Sequence, residues 1–343
     1  MVMPSEGANI HKAPRPRFEP RLIHPRYWGI WLSIGLVWLV VQLPYSWQMR
    51  LGAYIGRLLP RFAPKRREIA EYNLSLCFPD YSEAQRRALL QKSFESFGMA
   101  VFETAIAWFW PRRRLQTLAS IDGLENLERH RGRSILLLAM HFTTLEIGAA
   151  ILSLTAPLDG MYRSDKNPVY DFLHRRCRGR HSSSGLLIGH NDLRPMIKAL
   201  KQKRIIWYAP DFSGGGRSQS VFERFFDVPV AMSTATSKLA RLGDAVVIPF
   251  TQARRPDGRG YRLTIHEAFT DFPSGNERLD AKRINDFFEM QIRKQPDQYL
   301  WALRRFQTQP IDSGIPERID GVNGRQVSRA PEHAARLQSA EID

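Results

Sequence analysis

Short apolar segments alternate with amphipathic segments from about residue 134 onward, and this alternation constrains the fold more than any other feature of the sequence. Apolar runs bounded by turn residues predict strands, whereas apolar residues spaced three and four apart predict helices. Their alternation favours the α/β class, with a mostly parallel central sheet flanked by helices. The predicted strands are 135–140, 160–163, 205–209, 245–250 and 261–266, and the helices predicted among them are 145–154, 169–178, 193–201, 233–242 and 281–294.

The chain is long enough for one large domain with a sizeable core. Of its 343 residues, 43% are hydrophobic, including 19 Phe and 8 Trp, and this composition excludes a disordered chain. Two more helices are predicted over 66–80 and 82–110, so the domain is predicted to cover 50–310. Residues 1–26, rich in Pro and Arg, predict a flexible basic arm, and the polar tail 311–343 is predicted to be disordered.

The segment 27–49 is a long apolar stretch without a formal charge. Its aromatic residues cluster at both ends, as in anchors at a membrane–water interface: Tyr27, Trp28, Trp31, Tyr45 and Trp47. We therefore predict an N-terminal membrane-anchoring helix over 27–49. Basic residues on both flanks and the interruption at Pro44 favour a segment dipping into the cytoplasmic leaflet over one that spans the bilayer. A buried core helix is the third alternative.

A formal net charge of +16 favours an anionic partner. Nucleic acid, an anionic membrane surface and an acidic protein or substrate all fit this charge, and an overcharged soluble surface is the alternative. The two cysteines, Cys77 and Cys177, provide neither a disulfide framework nor a zinc site, which favours a reducing compartment. Because H-E-x-x-H, C-x-x-C and G-x-S-x-G motifs are also absent, we expect no metal, no cofactor and no serine nucleophile.

A histidine follows the strand predicted over 135–140, at the edge where open α/β sheets gather catalytic groups. His141 and Glu146 form an H-x4-E pair. Within one helix they would lie about 140° apart, so they meet only if His141 stands in the loop and Glu146 in the first helical turn. Glu146 would then fix the imidazole tautomer and leave the other nitrogen as a general base. The alternative is a capping box in which Thr143 caps the helix and Glu146 satisfies a backbone amide.

Two more strand ends carry charged residues that suit an anionic substrate. Arg163 ends the strand predicted over 160–163, and its planar fork fits a phosphate or carboxylate. Asp211 follows the strand predicted over 205–209 and precedes a glycine-rich loop that ends in Arg217. We therefore name Arg163, Asp211 and Arg217 as candidate substrate-binding residues. Four more arginines end the helix predicted over 169–178, where they fit either a phosphate site or a solvated helix end: Arg175, Arg176, Arg178 and Arg180.

An ordered set of motifs from the apolar segment to about residue 310 resembles the lipid A biosynthesis acyltransferases, the late lauroyl/myristoyl transferases of Gram-negative bacteria. H-x4-E alone would be a weak match, but the ordered set is specific. The blocks are Asn73-Leu74-x-x-Cys77-Phe78-Pro79, His141-Phe142-x-x-Leu145-Glu146, Tyr162-Arg163 with Asn167-Pro168, Ile206-Trp207-Tyr208-Ala209-Pro210-Asp211, Ser220-Val221-Phe222, Val247-Ile248-Pro249-Phe250, and Gln298-Tyr299-Leu300-Trp301 with Arg304-Arg305-Phe306.

The resemblance implies a glycerol-phosphate-acyltransferase-like fold and an enzyme of the bacterial inner membrane, with its catalytic domain on the cytoplasmic face. Such an enzyme moves an acyl chain from acyl carrier protein to the hydroxyl of an (R)-3-hydroxyacyl chain on a lipid A precursor. The partners implied are acyl carrier protein, the lipid A precursor and inner-membrane lipids, and not nucleic acid. The resemblance assigns His141 as the base and Glu146 as the acid that orients it, gives Arg163 a supporting role and places Asp211 near the site.

Two other functions also fit the sequence. A glycerol-phosphate or lysophospholipid acyltransferase would share the H-x4-D/E chemistry and differ in its acceptor. A basic, membrane-tethered module that binds anionic lipid or nucleic acid would show no turnover, and strongly salt-dependent nucleic-acid binding would distinguish it.

Overall fold

Helices and strands alternate in the second half of the chain, as the sequence predicts. The computed structural model describes residues 16–162, 164–178, 180, 181, 185, 187–189, 193–211 and 220–306. The helices are α1 (Trp28–Val40), α2 (Tyr45–Phe62), α3 (Pro64–Cys77), α4 (Glu83–Phe109), α5 (Arg112–Gln116), α6 (Leu124–Arg129), α7 (Leu145–Leu152), α8 (Pro168–Arg178), α9 (Arg194–Lys201), α10 (Ala235–Gly243) and α11 (Glu277–Lys294). The strands are β1 (Ala119–Asp122), β2 (Ser134–Leu138), β3 (Leu158–Tyr162), β4 (Leu187–Gly189), β5 (Ile205–Tyr208), β6 (Ser220–Phe225), β7 (Val228–Ser233), β8 (Ala245–Arg254) and β9 (Tyr261–Ile265).

Seven strands form the central sheet in the order β1-β9-β8-β2-β5-β3-β4. The run from β8 to β4 is parallel, β9 pairs antiparallel with β8, and β1 runs parallel to β9. The sheet is therefore mostly parallel, and the predicted α/β class is confirmed. Helices follow β2, β3 and β4 and cross over to the next parallel strand, as parallel pairing requires.

All five predicted strands are present as β2, β3, β5, β8 and β9, with ends shifted by a few residues. The sequence missed β1 and β4, which are short edge strands, and the antiparallel hairpin β6–β7. Phe226 and Asp227 form the hairpin turn with φ of 52° and 59°. Two left-handed residues suit a two-residue hairpin, but neither is the Gly or Asn that normally signals such a turn.

The core consists of two apolar layers, one on each face of the sheet. All five residues of β2 are buried, with Leu136 and Leu138 in one layer and Ile135 and Leu137 in the other. The first layer includes α9, α10 and α11, and the second includes α7 and the carboxyl half of α4. A central strand covered on both faces reads as a continuous apolar run, which explains why β2 was recognisable in the sequence.

The apolar segment 27–49 is divided between two helices. Pro44 precedes α2, so the predicted anchor helix ends at Val40 and the boundary expected at residue 49 falls inside α2. Residues 16–26 of the predicted arm contain two short 3-10 turns, and Leu22 is buried against α8 because it meets the apolar side chains of that helix. Residues 1–15 and the tail 311–343 lie outside the described residues.

Helix α1 is apolar on every side, but only one side meets the domain. Ile30, Trp31 and Ile34 pack against α8, whereas Leu32 and Leu36 on the opposite side are 75% and 62% exposed. Within the described ranges, no helix combines the length and the apolar character that crossing a membrane requires.

Helices α2 and α4 approach each other through three glycines. A Cβ atom at Gly56 would overlap the carbonyl oxygen of Phe94, and one at Gly98 would overlap the backbone of Gly52 and Gly56. The two backbones are therefore in direct contact, and each glycine is required for its missing side chain rather than for an unusual backbone angle.

We predict that Gly98→Ala destabilises the protein although alanine favours helix. Forcing α2 and α4 apart should lower the free energy of unfolding by about 1–3 kcal/mol. Gly35→Ala is the matched control, because nothing lies within 4 Å of a Cβ atom at Gly35 in α1. Denaturant unfolding of both variants checks the prediction. Equal stability would show that the close approach of the two helices is not needed.

Candidate active site

His141 and Asp211 meet at the carboxyl edge of the sheet because of the register of two neighbouring strands. Leu138 at the end of β2 is paired with Tyr208 at the end of β5. Each chain continues for three residues, which brings His141 opposite Asp211. Carboxyl ends of adjacent parallel strands are the usual place for a ligand site in an open α/β sheet.

Asp211 binds His141 through both oxygens of its carboxylate. Nδ1 of the imidazole lies 2.6 Å from Oδ1, and the backbone N–H of His141 donates to Oδ2 at 2.8 Å. Asp211 has no solvent exposure, whereas the His141 side chain is 30% exposed. A carboxylate on Nδ1 fixes the tautomer in which Nε2 carries the lone pair, which is the arrangement of a general base.

The electrostatics of the pair keep Asp211 ionised and make His141 more basic. Burial lowers the pKa of His141, but the charge and hydrogen bond of Asp211 outweigh this effect and raise the pKa above its usual value. Burial also opposes ionisation of Asp211, yet His141 and Arg305 hold the pKa of this carboxyl below its usual value.

Arg305 is a buried cation on the other side of Asp211. Its guanidinium donates to the carbonyl oxygen of Asp211 and, at 3.1 Å, to Oδ1 of Asn285. The same group lies over the ring of Phe225, 4.8 Å from the centroid. Arg305 therefore fixes the backbone of Asp211 and supplies positive charge beside its carboxylate.

Glu146 does not occupy the place that the sequence predicts for it. Its carboxylate forms a two-pronged ion pair with Arg178, in which Nε donates to Oε2 at 3.0 Å and Nη2 donates to Oε1. The contact with the His141 ring that the sequence predicts for Glu146 is made by Asp211, at Nδ1. The physical reason is that α7 begins at Leu145, so Glu146 projects toward α8, while the β2–β5 register places Asp211 against the imidazole.

The capping-box alternative for Glu146 is not realised either. Thr144, not Thr143, is the N-cap of α7, and neither side chain makes a capping hydrogen bond. The hydroxyl of Thr143 instead lies 2.8 Å from Oγ of Ser96 in α4. The loop from His141 to Thr144 is thus held by neighbouring elements rather than by its own helix.

The other predicted residues divide into two groups. Arg163 and Arg217 lie outside the described residues. Arg178 binds Glu146 and also donates to the carbonyl oxygen of Met161 at 3.3 Å, while Arg180 donates to the carbonyl oxygen of Trp108. Among the described residues, no group of three His, Cys, Asp or Glu side chains is arranged to hold a metal ion.

Sequence reasoning missed Tyr299 and Arg305 as members of the site and did not distinguish Arg178 from its neighbours. Arg178 was one of four arginines at a helix end, with nothing local to distinguish it. Tyr299 and Arg305 stand in the motif near residue 300, but they reach Asp211 from 88 and 94 positions away. The only indication in the sequence was that both residues belong to a motif of the family resemblance, and a motif does not show which residues are in contact.

Comparisons with known proteins identify the family of this chain. The family model for bacterial lipid A biosynthesis acyltransferase matches residues 15–308. The lipid A biosynthesis lauroyltransferase of Escherichia coli (strain K12) is 43% identical over 306 residues, which cover 88% of this chain and 98% of that protein. The lipid A biosynthesis palmitoleoyltransferase of the same organism is 38% identical over 301 residues, covering 87% and 97%.

The solved structures that are similar to this chain include the 1-acyl-sn-glycerophosphate acyltransferase of Thermotoga maritima. It aligns with a TM-score of 0.35 and 16% identity, over 67% of this chain and 97% of that one.

A partly exposed imidazole backed by a buried carboxylate, at the carboxyl edge of an α/β sheet, has the geometry of a general base. The family match and the identity to curated relatives give the class of the protein. The chain belongs to the bacterial lipid A biosynthesis acyltransferases, and the protein is an acyltransferase.

Asp211 and Glu146 allow a direct test of which carboxylate controls His141. Because the Asp211 charge raises the pKa of His141, we predict that Asp211→Asn lowers this pKa by about one unit or more. Glu146→Gln should change it much less. Histidine-selective NMR titration of the full chain, with thermal unfolding to establish that both variants fold, makes the comparison. A larger change of the His141 pKa in Glu146→Gln than in Asp211→Asn would identify Glu146 as the partner of His141.

Proposed function

We propose that the protein transfers a fatty acyl chain from the thioester of acyl carrier protein to the hydroxyl of an (R)-3-hydroxyacyl chain on a sugar-modified lipid A precursor. The observation that carries the proposal is the His141–Asp211 pair at the carboxyl edge of the sheet, in a chain of the lipid A acyltransferase family. The net charge of +16 supports an acidic donor protein and a phosphate-bearing acceptor.

Transfer proceeds directly from donor to acceptor. Nε2 of His141 accepts the proton of the acceptor hydroxyl while the hydroxyl oxygen attacks the thioester carbonyl carbon. The Asp211 carboxylate holds Nδ1 and stabilises the imidazolium that forms. Collapse of the tetrahedral intermediate breaks the carbon–sulfur bond, and the imidazolium returns the proton to the departing thiolate.

Glu146 contributes through Arg178 rather than through His141. The positive charge of Arg178 opposes protonation of His141, which keeps a fraction of the imidazole neutral and able to act as a base. We also assign to Arg178 the stabilisation of the negative charge that develops on the carbonyl oxygen of the intermediate. Arg163 and Arg217 remain candidates for binding the acceptor phosphates.

We place the enzyme at the cytoplasmic face of the bacterial inner membrane, with α1 in contact with lipid. A helix that is apolar all round and exposed along one side lacks a partner of matching chemistry in the described chain. Trp28 at the start of α1 and Trp47 in the first turn of α2 are both more than half exposed, and aromatic rings of this kind suit the headgroup region. Lipid contact would bring the acceptor and the site to the same surface.

We predict that His141→Ala reduces acyl transfer at least about a hundredfold while the protein stays folded. The assay combines a sugar-modified lipid A precursor with acyl carrier proteins carrying different chains, and mass spectrometry detects the gain of one secondary acyl chain. His266→Ala is the control, because His266 follows β9, is also partly buried, and has its Nε2 3.0 Å from the hydroxyl of Thr251 in β8.

Other results of the same assay would reject the proposal. Transfer by wild-type protein to glycerol phosphate or lysophospholipid, but not to the lipid A precursor, would identify an acyltransferase with another acceptor. An active His141→Ala variant would remove His141 as the base. No transfer to any acceptor would favour the binding module.

Membrane contact through α1 gives a separate prediction. Leu36→Glu places a carboxylate on the exposed side of α1, and burying it in lipid should weaken association with anionic vesicles at least about tenfold. Leu242→Glu is the matched control, because Leu242 in α10 is also half exposed. Co-sedimentation with vesicles measures both variants. Equal binding would exclude α1 as the lipid contact.

A further inference from the structure

The backbone of residues 298–300 is hydrogen-bonded to the loop that carries His141. The N–H of Leu300 donates to the carbonyl oxygen of His141 at 3.1 Å, and the N–H of Thr143 donates to the carbonyl oxygen of Gln298 at 2.8 Å. Phe142 and Tyr299 lie between these bonds as an antiparallel bridge. The backbone of the catalytic histidine is therefore held by a segment that no step of the proposed reaction uses.

The side chain of Tyr299 reaches the carboxylate that orients the histidine. Its hydroxyl donates to Oδ2 of Asp211 at 3.1 Å, on the oxygen that also accepts the N–H of His141. Both Tyr299 and Asp211 are buried, so solvent does not compete for this hydrogen bond. The edge of the ring also packs against Phe142, with centroids 6.1 Å apart. The phenol is therefore fixed from two directions.

We propose that Tyr299 is a positioning residue of the active centre, whose hydroxyl takes up part of the negative charge on Oδ2 of Asp211 and so limits the attraction of this carboxylate for the proton of His141. Tyr299 touches no substrate in this proposal and acts on His141 only through Asp211. The activity readout rests on the proposed function, whereas the titration of His141 does not.

The sign of the effect follows from the hydrogen bonds to Asp211. Each donor to the carboxylate disperses its charge and weakens its attraction for the imidazolium. Without the Tyr299 hydroxyl, Asp211 would attract the imidazolium more strongly and His141 would hold its proton to higher pH. A larger fraction of His141 would then be unable to act as a base near neutral pH.

Other charged and titratable groups surround the pair and remain unchanged in a Tyr299→Phe variant. Arg305 from the carboxyl-terminal segment and Arg178 from α8 both act on His141. Tyr208 at the end of β5 is near Asp211, and Cys77 at the end of α3 is near Tyr299. Because these groups stay in place, the change can be attributed to the single hydroxyl.

The test is the pKa of His141 in full-length Tyr299→Phe protein, measured by NMR with labelled histidine. His141→Gln identifies the signal among the nine histidines of the chain. Loss of one hydrogen bond to the carboxylate should raise the pKa by about half a unit to one unit. A pKa that is unchanged or lower overturns the proposal.

Tyr261→Phe is the matched control. Tyr261 is also fully buried, and its hydroxyl donates to a carboxylate, Oε1 of Glu103, at 2.9 Å. Both variants lose the same atom. Tyr261→Phe loses the bond to Glu103 and also the bond that Tyr261 accepts from the hydroxyl of Tyr45 at 3.1 Å, so thermal unfolding should report a loss of stability at least as large as that of Tyr299→Phe. Only Tyr299→Phe should move the titration of His141. An equal shift in both variants would show a structural effect and would also overturn the proposal.

The pH dependence of kcat/KM gives a second readout in the lipid A assay. The acid limb of Tyr299→Phe should move to higher pH by the same amount as the NMR pKa, with kcat reduced several-fold at pH 7 and KM little changed. If wild-type protein is inactive in this assay, the proposed function fails and the NMR titration still decides the role of Tyr299. If wild-type protein is active and the two pH profiles coincide, the role of Tyr299 fails alone.

Discussion

The buried charge of Asp211 is the constraint on which the active centre depends. A carboxylate without solvent exposure is stable only when hydrogen bonds and opposite charge replace water. His141 supplies a side-chain and a backbone contact, Tyr299 a hydroxyl, and Arg305 a positive charge. His141 follows the end of β2, whereas Tyr299 and Arg305 belong to the segment that follows α11. One buried charge therefore joins two distant parts of the chain to the end of β5, and loss of any one partner would leave this charge less well compensated.

The position of the candidate site could be predicted from the sequence, but the contacts between its side chains could not. A fully apolar strand followed by His141 was enough to locate the carboxyl edge of the sheet, because burial on both faces leaves a clear pattern. The partner of His141 depends on which strands are neighbours and in what register, and neither is a local property. Glu146 was the nearest acid in sequence, whereas Asp211 is nearest in space because β5 pairs with β2.

The elements that could not be predicted from the sequence have a common physical cause. Their local sequence patterns are weak, and contacts with distant parts of the chain hold them in place. The hairpin β6–β7 has no Gly or Asn in its turn and is held instead by α11, where Nδ2 of Asn285 donates to the carbonyl oxygen of Arg224 at 3.0 Å. Leu22 looked like part of a flexible arm because Pro and Arg surround it, yet it is buried against α8. Composition predicts whether a segment can form a core of its own, not whether it packs on another.

The apolar helix α1 and the loop that carries His141 are connected through α8. One side of α1 packs on Phe172 and Leu173, and the last residue of α8, Arg178, holds Glu146 in the first turn of α7. The loop that carries His141 leads directly into that turn. With α1 in lipid, as proposed, α8 would lie at the boundary between the membrane and the sheet edge. On this proposal, the apolar contact of α8 with α1 and the ion pair of its last residue would hold the His141 loop at a defined height above the lipid surface, as an acceptor hydroxyl anchored in that surface requires.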